Sequence, residues 1–453
     1  MTGKHHSKQH SIDMLQGTLW NKILIFALPL AATSMLQQLF NAADIAVVGN
    51  FVGKDAMAAV GSNAPLISLL INLFVGISIG ANVIIARYTG QKRFEDVSNA
   101  VHTSIIVAII GGLIVTALGE LVTVPALKFL EVPDEVMDYA VLYLRIFFLG
   151  MPFTLLYNFQ SAIFRSQGDT RTPLICLVVG GIINVGLNLF FVLVLKMSVE
   201  GVAIATITAN LISSGLLFYF LTHRDDAIKV EIKKLRIHGY ALKSIAQIGI
   251  PSGIQGMVFS IANISIQTGV NSLGADVMAG SSAAYNLEIM VYFLVNAFGQ
   301  ACVSFTSQNY GAANYSRCRK VFKVSLGLEL LFTVAASMLM LLFGRPLLGF
   351  FNSNEAVITA GFIRLKFLMT TEVFNALVEM FSGAMRGLGQ SMKPAIISIV
   401  GICGVRILWV NTVFKAHHTI GVVMLAYPVS WAITSAVLGI IYFFVAKKTL
   451  PVK

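Results

Sequence analysis

Charge is what this sequence is shortest of. Only 12% of its 453 residues are Asp, Glu, Lys or Arg, while 56% are hydrophobic; soluble domains carry about 25% charged residues. A water-borne protein this apolar could not cover its own surface, so a soluble fold is excluded. Cysteine is scarce too. Cys176, Cys302, Cys318 and Cys403 include no C-x-x-C pair; three lie in apolar runs and one in a basic loop. That excludes a disulfide framework and a zinc site. No G-x-x-x-x-G-K-[ST] phosphate loop occurs, so no ATPase is built in, and no H-E-x-x-H zinc signature occurs. The net charge is +11, yet no long basic stripe interleaved with aromatics exists, so nucleic acid is not an expected partner. In the polar first 18 residues, His5, His6 and His10 are too irregular for a metal site. No small-residue cleavage signal follows the first apolar run, and that span is expected to be retained.

What the chain does have is apolar runs of twenty or more residues. In a bilayer every backbone polar group must be satisfied within helices or a closed barrel. Runs this long, without ten-residue alternation, favour helices. Twelve spans are expected, near 20–49, 57–86, 97–119, 138–161, 172–195 and 199–222, then 242–270, 277–305, 319–343, 356–382, 394–414 and 419–446. An even count puts both termini on one side. With the N-terminus in the cytoplasm, 23 of the Lys and Arg residues fall on the inside and five (Lys54, Lys128, Lys196, Arg345 and Lys415) on the outside. This is the bias of a multi-pass protein of the inner, cytoplasmic membrane. The longest polar stretch inside the chain, 223–243, separates six spans from six. The expected organisation is a cytoplasmic tail 1–18, a six-helix lobe 19–222, a cytoplasmic linker 223–241, a second six-helix lobe 242–446 and a tail 447–453.

The halves repeat. At an offset of 221 residues Asn50 meets Asn271, Gly53 meets Gly274, Asp55 meets Asp276 and Met57 meets Met278. Gly90 then meets Gly311, Phe129 meets Phe350, Arg165 meets Arg386, Gly168 meets Gly389 and Pro173 meets Pro394. One-residue gaps add Pro29 with Pro251, Asn41 with Asn263 and Gly201 with Gly421. Six spans per copy make the copies point the same way. The expected fold is therefore all-α and integral to the membrane: twelve transmembrane helices as two six-helix bundles, related by a pseudo-twofold axis along the membrane normal. Such a frame suits alternating access.

Chemistry is sought where the copies differ. Asp44 lies in the first span, yet its counterpart is Ile266. An Asp inside a span costs about 2.5–3.5 kcal/mol on insertion scales, and such a group usually faces a cavity. The alternative is a helix end reaching interfacial water. A buried carboxylate can exchange a proton or hold a monovalent cation. Asn184 and Asn188, four apart in span five, share a helix face. They can hydrogen-bond Asp44 or ligate a cation; otherwise they are glue between helices. Glu288 in span eight, with Glu372, Asn375 and Glu379 along one face of span ten, are candidates for a second acidic site, weighed against ordinary salt bridges. Arg364 and Lys366 can snorkel or pair with Glu372, and Glu329 and Arg145 read as structural pairs. Pro29 and Pro251, at matched depth in the first span of each copy, are candidate hinges.

Several segments resemble one family. They are Pro29 with Gln37-Gln-Leu-Phe-Asn-Ala-Ala-Asp44, Val48-Gly49, Tyr88-Thr-Gly-Gln91, Phe164-Arg-Ser-Gln-Gly-Asp-Thr-Arg-Thr-Pro173, Ser307-Gln-Asn-Tyr-Gly-Ala312 and Met385-Arg-Gly-Leu-Gly-Gln390. From about residue 18 to 446 the chain resembles the multidrug and toxic compound extrusion (MATE) family, in its prokaryotic DinF-like branch. The resemblance implies a non-enzymatic exporter that exchanges Na+ or H+ inward for lipophilic, often cationic compounds outward. It implies no cofactor beyond the coupling ion, and as partners the lipid bilayer and small-molecule substrates, with the chain a monomer. Asp44 then matches the family's first-helix carboxylate, and Asn184 a polar residue of its N-lobe site. Asn188 stands where many members of the branch carry Asp, and Asn375 lies near where the NorM-like branch carries one. The alternative function is a flippase of lipid-linked intermediates within the same superfamily. The charge bias makes one outcome specific. In a background without native cysteines, Lys196→Cys and Lys415→Cys should react with an impermeant maleimide on intact cells. Lys233→Cys and Lys320→Cys should react only after permeabilisation.

Overall fold

A computed structural model describes residues 11–129 and 132–451, apart from the side chains of Ser62, Ala64 and Pro65. His5, His6 and His10, most of the 1–18 tail, Glu131 and the last two residues of the 447–453 tail lie outside the described residues. Everything regular among the described residues is helical. The first half runs α1 (Leu19–Phe51), α2 (Lys54–Gly90), α3 (Phe94–Phe129), α4 (Asp134–Leu149), α5 (Met151–Ser166), α6 (Arg171–Leu189) and α7 (Val199–Thr222). The second runs α8 (Gly239–Asn271), α9 (Ala275–Gly311), α10 (Tyr315–Gly349), α11 (Glu355–Gly387), α12 (Met392–Ser398), α13 (Val405–Trp409) and α14 (Ile420–Thr449).

These helices make twelve spans. Ten stretches among the described residues are long and apolar enough to cross a membrane on their own. The eleventh is α4 with α5, one span bent by 48° where Gly150 precedes Met151-Pro152; proline near a helix start needs no amide partner there. The twelfth is α11, 33 residues long and carrying Arg364, Lys366, Glu372 and Glu379. Spans five and eleven loosen into π-helix at Phe190–Val194, and at Ile399–Gly404 and Val410–Phe414. Helix ends are closed locally. Asp169 accepts the amides of Arg171 and Thr172 ahead of α6, at 3.1 and 3.0 Å, and Asn354 accepts that of Ala356 ahead of α11.

The chain gathers into two compact units. One holds the described residues up to Asn63 with Ile84–Leu242 and Gly311–Ala313. The other holds Ala64–Val83, Lys243–Tyr310 and the described residues from Asn314 onward. The middle of α2 belongs to the second unit because small residues let it lie against α8: a Cβ on Gly76 would stand 2.3 Å from the Cα of Gly253.

The duplication is written in the backbone as well as in the letters. Positive φ occurs at Gly53 and Gly274, at Lys92 and Ala313, and at Gly168 and Gly389, each pair separated by the same 221 residues. Left-handed turns close corresponding helix junctions, and glycine fills the position without strain in two of the three. Pro125 inside α3 recurs as Pro346 inside α10. Phe129 and Phe350, also partners in the repeat, are 86% and 87% exposed. Outward-facing apolar side chains of this kind are a liability in water and the normal surface in lipid.

The connector between α7 and α8 is held down by polar contacts within the first unit. The Glu231 amide donates to His102 Nε2 at 3.0 Å, the His238 amide donates to Thr103 Oγ1 at 3.0 Å, and Asn99 Nδ2 donates to the Tyr240 hydroxyl at 2.7 Å. Each such bond contributes about 0.5–1.5 kcal/mol. The double variant His102→Ala/Thr103→Val should therefore free the connector without unfolding the spans. Limited trypsin digestion should then cut at Lys229, Lys233 or Lys234 several-fold faster than in the wild type.

Candidate functional site

The first unit encloses a carboxylate. Asp44 sits on α1, only 4% exposed. Asn188 Nδ2 donates to its Oδ1 at 2.5 Å, and the Thr206 hydroxyl donates to its Oδ2 at 2.9 Å. Asn184 completes the group: its Oδ1 lies 3.4 Å from Asn188 Nδ2, and its Nδ2 lies 3.4 Å from Thr206 Oγ1. The phenol of Tyr143 lies within electrostatic reach of the carboxylate. Asp44 and both asparagines thus come together on α1 and α6, and α7 contributes a member that sequence reasoning missed. Thr206 escaped notice because a hydroxyl in a span usually returns its proton to the preceding turn, and this one also lies 3.0 Å from the Val202 carbonyl.

Why these groups meet is a matter of two glycines. One turn before Asn184 come Gly180 and Gly181. A Cβ on Gly181 would fall 1.9 Å from the Phe40 ring, and one on Gly180 would fall 2.0 Å from Ser213 Oγ. Gly181 therefore lets α1 lie against α6, and Gly180 lets α7 do so. Phe40 is one turn before Asp44, so the packing of its ring sets the carboxylate level with the two amides. Ser213 tightens the second contact by donating to the Cys176 carbonyl at 3.1 Å. An ionised carboxylate taken out of water carries a penalty of several kcal/mol unless its lone pairs are met; two donors meet it here.

The second unit arranges its charges differently. Arg364 grips Glu288 through Nε and Nη2, at 2.8 and 3.1 Å, and donates to Ser281 Oγ at 2.8 Å. The pairing expected for Arg364 was with Glu372. Glu372 instead accepts from Asn375 at 2.7 Å. Glu379 lies 3.7 Å from Arg386, which also donates to Gln255 at 3.1 Å. The four C-lobe candidates are thus spread over three separate contacts, with Glu288 already neutralised. Arg145 stands 3.5 Å from Glu120, whereas both carboxylate oxygens of Glu329 are buried with no hydrogen-bond partner.

Arg406, on the span that corresponds to α6, is buried without a carboxylate in contact. It donates to Asn263 Oδ1 at 2.8 Å and Ser430 Oγ at 3.2 Å, and its guanidinium lies 4.1 Å from the ring centre of Tyr427 and 5.6 Å from that of Trp431. The electrostatic pull of those faces takes over part of what water would supply.

The candidate hinges lie inside helices, Pro29 in α1 and Pro251 in α8. Fifteen residues, or about 22 Å of helix, separate Pro29 from Asp44. Gly76-Ile-Ser-Ile-Gly80 has the spacing of a nucleophile elbow, but it forms unbroken helix, and the Ser78 hydroxyl donates to the Val75 carbonyl at 2.7 Å. Among the described residues no group of three or more His, Cys, Asp or Glu is placed to hold a metal ion.

Twelve spans with charged side chains enclosed between helices describe a multi-pass membrane protein. The MatE family model matches twice, over residues 29–190 and 251–410, and the chain belongs to that family. It is 26% identical over 440 residues to the probable multidrug resistance protein YoeA of Bacillus subtilis, covering 95% of each chain. It is 28% identical to the probable multidrug resistance protein NorM of Thermotoga maritima, over 85% of this chain and 84% of that one. The fold matches a MATE crystallised in complex with MaL6, with TM-score 0.89 and 21% identity over 96% of this chain and 98% of the other.

The glycine contact predicts a loss of site geometry without replacing any polar side chain of the site. Gly180→Val should drive α7 off α6, separate Thr206 from Asp44 and cost about 1–3 kcal/mol. Gly186→Val, where a Cβ meets nothing within 4 Å, should leave stability and transport near wild type. Thermal unfolding in detergent alongside efflux measurements checks both.

Proposed function

We propose that the protein exports lipophilic, often cationic compounds in exchange for protons, with Asp44 as the coupling carboxylate. The observation that carries the reading is the make-up of its partners. All are neutral, and all can reverse their hydrogen bonds. Asn188 donates through Nδ2 while its Oδ1 is buried and unpartnered, so a half-turn of the amide offers an acceptor to a protonated Asp44. Thr206 has the Val202 carbonyl to fall back on. The site is therefore satisfied with the carboxylate charged or neutral, and exchanging a proton requires only side-chain rotation. A cationic substrate and a proton compete to neutralise the same group. Each shifts the conformational equilibrium only by its difference in affinity between the two access states.

In this reading Pro29 and Pro251 are the bends about which the helices flex, and Glu372, Asn375 and Glu379 lend the second unit polarity that tunes substrate choice. The chain works as a monomer in the inner membrane. Residues 1–18, 223–241 and 447–453 are cytoplasmic, and the duplicated six-helix lobes 19–222 and 242–446 rock to alternate access. The multidrug names of the relatives from Bacillus and Thermotoga support the substrate class.

Reconstituted protein should expel ethidium from proteoliposomes under an imposed pH gradient, and a Na+ gradient alone should not drive it. Asp44→Asn should lower the pH-driven rate by at least tenfold while the protein remains folded and inserted. Efflux driven by Na+ alone, or undiminished in the variant, would overturn the assignment of the proton or of Asp44 respectively.

A further inference from the structure

The second unit contains an acid that nothing above uses. Ser325, Glu329, Thr333 and Ser337 recur every four residues along α10, so they form one stripe on the helix, and all four are buried. The opposite side of the helix carries Leu331, Met338, Leu339 and Leu342, all more than half exposed. A helix that hides its polar face and shows its apolar one fits a lipid setting, but the hidden face ought then to be satisfied. It is not. Both oxygens of Glu329 and the hydroxyls of Ser325, Thr333 and Ser337 have no hydrogen-bond partner, and neither does Ser382 on α11.

The surroundings decide what such a carboxyl can hold. The titratable groups within electrostatic reach are Glu372 and Glu379 on α11 and Cys302 on α9. Both carboxyls are acidic, and Glu379 already has a guanidinium, that of Arg386, 3.7 Å away. An ionised Glu329 would be a bare anion among acids, with no donor on either oxygen, the costliest arrangement a low-dielectric interior offers. These acids do not converge as metal ligands. A proton is the visitor that removes the charge, and the stripe of hydroxyls on the same helix face gives the neutral carboxyl a polar but uncharged setting.

We propose that Glu329 is a second proton-binding site, housed in the second unit and distinct from Asp44. It takes up and releases a proton during the transport cycle, so each substrate leaves against two protons and not one. This rests on the proton-coupled reading above. The step is a bare proton transfer: the O–H bond of the neutral carboxyl breaks, the carboxylate keeps the electron pair, and water on the receiving side takes the proton.

Two measurements test it. In proteoliposomes, ethidium accumulation at steady state is read against a one-unit pH gradient for the wild type and for Glu329→Gln, which keeps the shape and cannot exchange a proton. Loss of one coupled proton should lower the accumulation ratio about tenfold, one pH unit being a tenfold factor per proton. An unchanged ratio in a folded variant overturns the proposal. Separately from transport, infrared difference spectra of the wild type between pH 5 and pH 9, with ethidium saturating or absent, should show a buried-carboxyl band. That band should be absent from Glu329→Gln and still present in Asp44→Asn. If Asp44→Asn shows no titrating buried-carboxyl band, or if Na+ at fixed pH removes the band, the proposal is wrong whether or not Glu329→Gln folds. If the wild type moves no protons under any gradient while the band still titrates, the reading of the preceding subsection fails and the binding site stands.

Discussion

Bringing a charge into a helical bundle of membrane thickness is the constraint on which the rest of this molecule depends. Water is not at hand to complete a carboxylate's hydrogen bonds, so each buried charge must find donors or acceptors on neighbouring helices before it can do anything else. Three solutions are visible. Asp44 is met by an amide and a hydroxyl. Glu288 is met by a two-pronged guanidinium. Arg406 is met by an amide oxygen, a hydroxyl and two aromatic faces. Only the first uses partners, an amide and a hydroxyl, that can hydrogen-bond a neutral carboxyl as well as a charged one.

Helix contacts supply those partners, and glycine sets the contacts. Hydrophobic attraction between helices is weak when the solvent is itself apolar, and close approach of small residues takes its place. Gly180 and Gly181 admit Ser213 and Phe40, and the polar groups one or two turns further along then meet at hydrogen-bonding distance. The chemistry of the site is thus fixed by residues that carry no chemistry.

Much of this was legible in the letters. Apolar runs gave the twelve spans, because bilayer thickness dictates their length. The 221-residue register gave the duplication and reappears in the backbone as three pairs of left-handed turns. The contrast of Asp44 with Ile266, together with the four-residue spacing of Asn184 and Asn188, pointed at residues that do come together. What stayed hidden was which helix lies against which. Thr206 reads as one more back-bonded hydroxyl until α7 is laid on α6. Glu372 looks as good a partner for Arg364 as Glu288 until α9 and α11 are set side by side. Span four reads as one helix, since Gly150 and Pro152 announce a possible bend and not its 48° size. In a membrane protein, periodicity shows which face of a helix is greasy, and lipid and protein interior are both greasy.

The unlike polarity of two corresponding positions has an evolutionary meaning. The slot formed by α1, α6 and α7 holds an acid, and its counterpart formed by α8, α13 and α14 holds a guanidinium, with Ile266 buried where the acid would be. Had the six-helix unit remained a separate polypeptide assembling with its own copy, both slots would be obliged to carry the same side chain, and any change would strike twice. Joining the copies end to end frees each slot to drift alone. One ancestral slot can then hold an acid in one copy and a guanidinium in the other.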